Sequence, residues 1–126
     1  MVGFLEGFTK QFGMPEGFGG RIAGFLMSND TKKSVWTLSL LNPDKDDRVL
    51  EVGVGPGIAV KLLSEKITDG YIAGIDISEL MLKVALRRNK KAVAKGLVDL
   101  RLANVLTLPS YEEKFDKILA VNTIMF

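Results

Sequence analysis

Two acids in this chain stand where acids are unusual, and a run of glycines lies between them. Glu51 interrupts Val49-Leu50-Glu51-Val52, a branched, apolar run of the kind found in strands buried on both faces. A charge there needs a partner or a ligand. Gly53, Gly55 and Gly57 follow at alternate positions and turn the chain sharply, so that the backbone can come close to a bound molecule. From Ile58 to Ile67 the residues Ile58, Ala59, Leu62, Leu63 and Ile67 fall on one helical face, and the N-terminus of that helix faces the same place. Asp76 comes near the end of a second apolar run, Tyr71-Ile72-Ala73-Gly74-Ile75-Asp76-Ile77. An acid at a strand end is placed to accept hydrogen bonds from both ribose hydroxyls of a nucleoside. The structural alternative for Asp76 is a helix cap, a role Ser78 serves better.

The glycine spacing separates the nucleotide-binding motifs. A dinucleotide fingerprint, G-x-G-x-x-G/A, would need a small residue at Ile58 or at Val60, depending on the register, and neither fits. The phosphate loop G-x-x-x-x-G-K-[ST] is absent. What stands at 51–57 is E-x-G-x-G-x-G.

Bulk properties narrow the class. The chain has 126 residues, 47% hydrophobic and 25% charged, which describes one globular domain. Its net charge of +2 makes no case for nucleic acid. There is no cysteine and no histidine, which excludes disulfides, thiol nucleophiles, Ser-His-Asp triads and the usual zinc sites. No secretory signal is expected, and no run approaches the ~20 apolar residues of a membrane span, so the default compartment is cytoplasmic.

The first residues are crowded with glycine and phenylalanine, which opposes an isolated helix. They read as an irregular arm docking its aromatics, with a flap over the site or a membrane-surface anchor as alternatives. Arg21–Ser28 and Thr31–Leu41 read as two helices separated by Asn29 and Asp30. The second carries an apolar stripe through Val35 and Leu38, with Trp36 beside it as a packing anchor. The polar turn from Asn42 to Asp47 ends it, so residues 1–45 look like a cap attached to a domain at 46–126. Ser78 to Ala94 reads as one helix with Ser78 as N-cap and Leu82, Ala85, Leu86 and Val93 inward; Gly96 stops it. Its outer side carries Lys83, Arg87, Arg88, Lys90, Lys91 and Lys95, a basic face read as solvated rather than as a site for an anionic partner. Val98–Ala103 predicts a third strand nearer the sheet edge, followed by Asn104 and Val105. Phe115-Asp116-Lys117-Ile118-Leu119-Ala120-Val121-Asn122 predicts a fourth.

These motifs, in this order, resemble the class I S-adenosylmethionine-dependent methyltransferases, and within them the small-molecule group that includes quinone-biosynthesis enzymes. E-x-G-x-G-x-G at 51–57 is similar to the family's motif I, and Asp76 to its second-strand acid. Leu106-Thr107-Leu108-Pro109 is similar to its apolar turn, and the run from Phe115 to Asn122 to its motif IV. The resemblance implies an α/β, Rossmann-like, seven-stranded sheet. This chain would supply strands 1 to 4, in the order 3-2-1-4, after its N-terminal cap helices. It also implies that S-adenosylmethionine is held by Glu51, Gly53, Gly55, Gly57, Asp76, Ile77, Asn104, Val105 and Asn122. The family usually has an acid where Asn104 stands; its amide oxygen can still accept from the adenine amino group. The implied reaction is methyl transfer to a small-molecule acceptor, with no metal and no assigned catalytic residue, and with neither nucleic acid nor membrane as partner. The chain is expected to be truncated after the fourth strand, to be a poor enzyme alone and to self-associate through that strand's exposed edge. A non-catalytic nucleoside-binding remnant and an NAD-binding dehydrogenase domain are the rival readings.

Overall fold

A computed structural model describes residues 29–121. The arm, the helix expected at Arg21–Ser28 and the candidate Asn122 lie outside the described residues. The chain divides into two units, 1–32 and 33–126, and the sheet lies wholly in the second.

Helix α1 spans Asn29–Leu41, starting two residues earlier than the sequence pattern predicts. Leu38 is its buried apolar anchor. Trp36, expected to be a packing anchor, is instead 65% exposed. The helix closes at Asn42, whose left-handed φ of 45° lets its N–H donate to the Leu38 carbonyl at 2.9 Å.

Four parallel strands follow: β1 (Arg48–Val52), β2 (Tyr71–Asp76), β3 (Val98–Leu102) and β4 (Lys117–Leu119), in the spatial order β3-β2-β1-β4. This is the expected order. Helix α2 (Ile58–Lys66) joins β1 to β2, and α3 (Glu79–Arg88) with α4 (Lys90–Ala94) joins β2 to β3. Helix α2 packs on β2 and on α3, and α3 packs on β2 and β3. Val49, Leu50, Ile72, Ala73, Ile75 and Val98 from the sheet, Ala59, Val60, Leu62 and Leu63 from α2, and Ile67 just after it are all buried in the core. Val60 extends that buried face beyond the predicted stripe. Gly74, opposite Glu51 in the register, leaves no room for a side chain: a Cβ there would lie 2.4 Å from Val54 Cγ1 and 2.7 Å from Leu100 Cδ2.

The single helix predicted from Ser78 to Ala94 is divided at Asn89, which has φ −108° and ψ 23°. At that point the Asn89 side chain donates to the Gly57 carbonyl at 3.1 Å. β4 is shorter than expected, and side chains secure it. The Asp116 carboxylate accepts from Arg48 N at 2.8 Å, Asp116 N donates to the Arg48 carbonyl at 2.7 Å, and Lys117 pairs with Asp47. The Lys117 ammonium and the backbone N–H of Asp44 hold the Asp47 carboxyl below its ordinary range. The Arg48 guanidinium lies 4.5 Å over the Tyr71 ring and 5.7 Å from that of Phe115, which sits edge-on to Tyr111. Burial, with the hydrogen bond to Asp99 added, pushes the Tyr71 hydroxyl up to about 12.

Candidate functional site

The strand order reverses between β1 and β4, and in open parallel sheets the crevice beyond the carboxyl ends at such a point is where ligands bind. The residues singled out in the sequence gather at that end of the sheet.

After β1, Gly53, Gly55 and Gly57 take left-handed φ values of 77°, 53° and 85°. That succession is open to glycine at little cost and strained for other residues. The Ile75 carbonyl accepts from both Gly53 N (2.8 Å) and Val54 N (3.0 Å), tying the turn to the end of β2. Asp76 completes the tie: one carboxylate oxygen accepts from Gly55 N at 2.8 Å and the other from Ser78 N at 2.8 Å. A carboxylate has about four acceptor positions, so each oxygen of Asp76 keeps capacity for another donor. Asp76 is half-buried, and Ser78 caps α3 as expected, accepting from Met81 N at 3.2 Å.

Glu51 stands at the foot of this loop. It is 0% exposed, and neither carboxylate oxygen has a hydrogen-bond partner among the described residues. Burial drives its pKa well above the ordinary carboxyl range, and the nearby Asp76 charge pushes the same way.

The apolar candidates lie open beside the acid. Ile77, just after Asp76, is 77% exposed, and Val105, beyond the end of β3, is 51% exposed. The chain end of β3 is drawn to Asp76, whose carbonyl accepts from Ala103 N at 3.0 Å. Asn104 is exposed and caps the short 3-10 turn Val105–Thr107, its Oδ1 accepting from Leu106 N at 2.9 Å. That bond occupies one lone pair of the amide oxygen and leaves the other. The loop, Asp76, Ile77, Asn104 and Val105 thus share one end of the sheet.

A family model described as "Methyltransferase domain" matches residues 49–126, more than half of the chain. The chain belongs to this methyltransferase family. It is 37% identical over 102 residues to the uncharacterized methyltransferase YdaC of Bacillus subtilis (strain 168), covering 80% of this chain and 54% of the relative. To a demethylmenaquinone methyltransferase of Thermotoga maritima it is 33% identical over 99 residues, 78% of this chain and 39% of that one. The chain spans about half the length, or less, of these relatives. Among solved structures, a SAM-dependent methyltransferase from Thiobacillus denitrificans in complex with S-adenosyl-L-homocysteine matches with TM-score 0.60 at 25% identity, over 73% of this chain and 36% of that chain. A protein-L-isoaspartate O-methyltransferase shares the fold with TM-score 0.61 at 19% identity, over 74% of this chain and 29% of its own.

The family's Rossmann-like α/β sheet is therefore the one present here, and the geometry of its carboxyl end suits a nucleoside ligand. A left-handed glycine turn opens backbone toward the crevice, a fixed carboxylate keeps free acceptor capacity, and an orphaned buried acid lies beneath. Among the described residues no group of His, Cys, Asp and Glu could hold a metal ion, and no helix is long and apolar enough to cross a membrane. The residues that sequence reasoning missed are Arg88 and Asn89. Their side chains reach the glycine loop, and the signal was available in Asn89, a weak helix former in the middle of a helical pattern.

Proposed function

We propose that this methyltransferase domain binds S-adenosylmethionine at the carboxyl end of β1 and β2 and serves methyl transfer to a small-molecule acceptor. The observation that carries the reading is the Asp76 carboxylate, pinned by Gly55 N and Ser78 N with acceptor capacity to spare, beside the left-handed glycine turn. In this reading Asp76 takes the ribose hydroxyls, and the turn through Gly53, Gly55 and Gly57 lets the backbone pass the methionine part. Ile77 and Val105 offer exposed apolar surface to the adenine. Asn104 accepts from the adenine amino group with its remaining lone pair, and Asn122 lies beyond the described strand β4. Glu51 supports the loop from below, as a buried acid whose unmet oxygens a ligand group or an enclosed water would satisfy.

When bound, S-adenosylmethionine supplies an electrophilic methyl group on a sulfonium. The protein's part is orientation and exclusion of water, which in well-oriented systems is worth ~7–11 kcal/mol. That part needs no protein nucleophile, which agrees with a chain lacking Cys and His. In the described sheet β4 is an edge strand with Ile118 62% exposed, and through that edge copies of this chain self-associate.

Calorimetry of the purified chain with S-adenosylmethionine, S-adenosylhomocysteine and NAD tests the reading. Binding of the first two and not of NAD is expected. Asp76→Ala should weaken S-adenosylhomocysteine about 10- to 150-fold, the loss of hydrogen bonds to a charged group worth roughly 1.5–3 kcal/mol. Binding of NAD alone, or unaltered affinity in the variant, contradicts it.

A further inference from the structure

Three consecutive residues of the glycine loop are each held through their backbone by a side chain, and each of these side chains sits at one end or the other of α3. Gly55 N donates to Asp76, just before the helix, at 2.8 Å. The Pro56 carbonyl accepts from Arg88 Nη1 at 2.8 Å, and the Gly57 carbonyl accepts from Asn89 Nδ2 at 3.1 Å, both at the other end. Asn89 is buried, with 1% exposure, and its Nδ2 also donates to the Ala85 carbonyl at 2.9 Å. Two carbonyl acceptors fix the orientation of the amide, because the reversed group would set oxygen against oxygen.

This arrangement costs stability locally. The helix breaks at Asn89, and its Oδ1 stays buried without a hydrogen-bond partner among the described residues. Alanine or leucine there would favour the helix more strongly and leave no polar atom unmet. What the asparagine adds is a hold on Gly57. A Cβ on that residue would lie 2.8 Å from Ala85 Cα and 2.8 Å from Asn89 Nδ2, so the loop and α3 meet without an intervening side chain. The Gly57 carbonyl also accepts from Lys61 N at 3.1 Å, so the asparagine is a second donor and not the bond that starts α2.

We propose that Asn89, seconded by the exposed Arg88, is the positioning residue of the glycine loop: it fixes Gly57, and through it the turn that receives the ligand. The ligand's identity rests on the function proposed above; the hold on the loop does not.

The test compares amide hydrogen exchange in the unliganded 126-residue chain and in Asn89→Ala. Gly55 and Gly57 should exchange at least about tenfold faster in the variant, while Ile72 and Ile75 in β2 keep their rates. The dissociation constant of S-adenosylhomocysteine should rise about tenfold or more. Ile72→Val, a buried truncation away from the loop that typically costs about 0.5–1.5 kcal/mol, should leave it unchanged. Unchanged exchange at both glycines, or an affinity loss matched by Ile72→Val, overturns the proposal. If the parent chain binds no S-adenosylhomocysteine, the cofactor reading fails and the exchange rates alone decide this one. Should Asn89→Ala not fold, Arg88→Ala carries the test: faster exchange at Gly57 supports the hold, and an unchanged rate overturns it.

Discussion

At the scale of single residues, the two acids that begin this account play opposite electrostatic parts. Asp76 is half-buried and receives backbone N–H groups on both oxygens, whereas Glu51 is fully buried and receives none among the described residues. The sequence showed that Glu51 needs a partner; it could not show that none of the described residues supplies one, which depends on what surrounds the strand. The same holds for Asn104, read as a ligand contact and found also to cap its own turn. Glu51 makes a pH prediction. Its pKa is raised in the folded state, so the folded chain binds that proton more tightly than the unfolded chain does. The resulting stability is complete below the ordinary glutamate value, about 4.3, and is lost as pH rises through the folded-state value. Glu51→Gln keeps the shape and removes the titration. Its stability relative to the parent should therefore grow as pH rises from about 4, by up to about 1.4 kcal/mol per pH unit. Urea unfolding of both proteins across that range measures the difference, and parallel stability curves would contradict a raised Glu51 pKa.

At the scale of elements, local pattern was sufficient wherever local forces decide. Branched apolar runs marked β1 and β2, Ser78 marked the start of α3, and Gly96, at φ 80°, stops α4. Pattern failed where a distant contact decides. Asn89 divides a helix that periodicity draws as continuous, and there its side chain bonds the carbonyl of Gly57, far away in sequence. Trp36 shows the complementary error, since an indole suggests a core position but its helix leaves it exposed. β4 is short, and the Arg48, Asp116, Lys117 and Asp47 contacts hold it onto β1. Among the described residues its other edge has no partner strand, and Ile118 beside it is exposed. Size-exclusion chromatography with light scattering should show a mass that rises with concentration, and Ile118→Lys should return it toward the monomer. A parent chain that stays monomeric throughout contradicts association through this edge.

At the scale of the whole molecule, the order β3-β2-β1-β4 was legible because strand, glycine turn, helix and terminal acid recur in the sequence of one known family. The crevice was legible for the same reason, since a parallel sheet with a reversal of strand order has one natural place for a ligand. The methyl acceptor was not legible. Its contacts depend on residues brought together from distant parts of a protein, and this chain spans about half the length of its relatives or less. The location of the cofactor at the carboxyl end of the sheet is tested most directly by amide NMR of the ¹⁵N-labelled chain titrated with S-adenosylhomocysteine. Shifts are expected at Gly53, Gly55, Gly57, Asp76, Ile77 and Val105, with Gly70, Gly96 and Leu97 near the starts of β2 and β3 unmoved. Shifts concentrated at Gly70, Gly96 and Leu97, with the glycine loop silent, would contradict it.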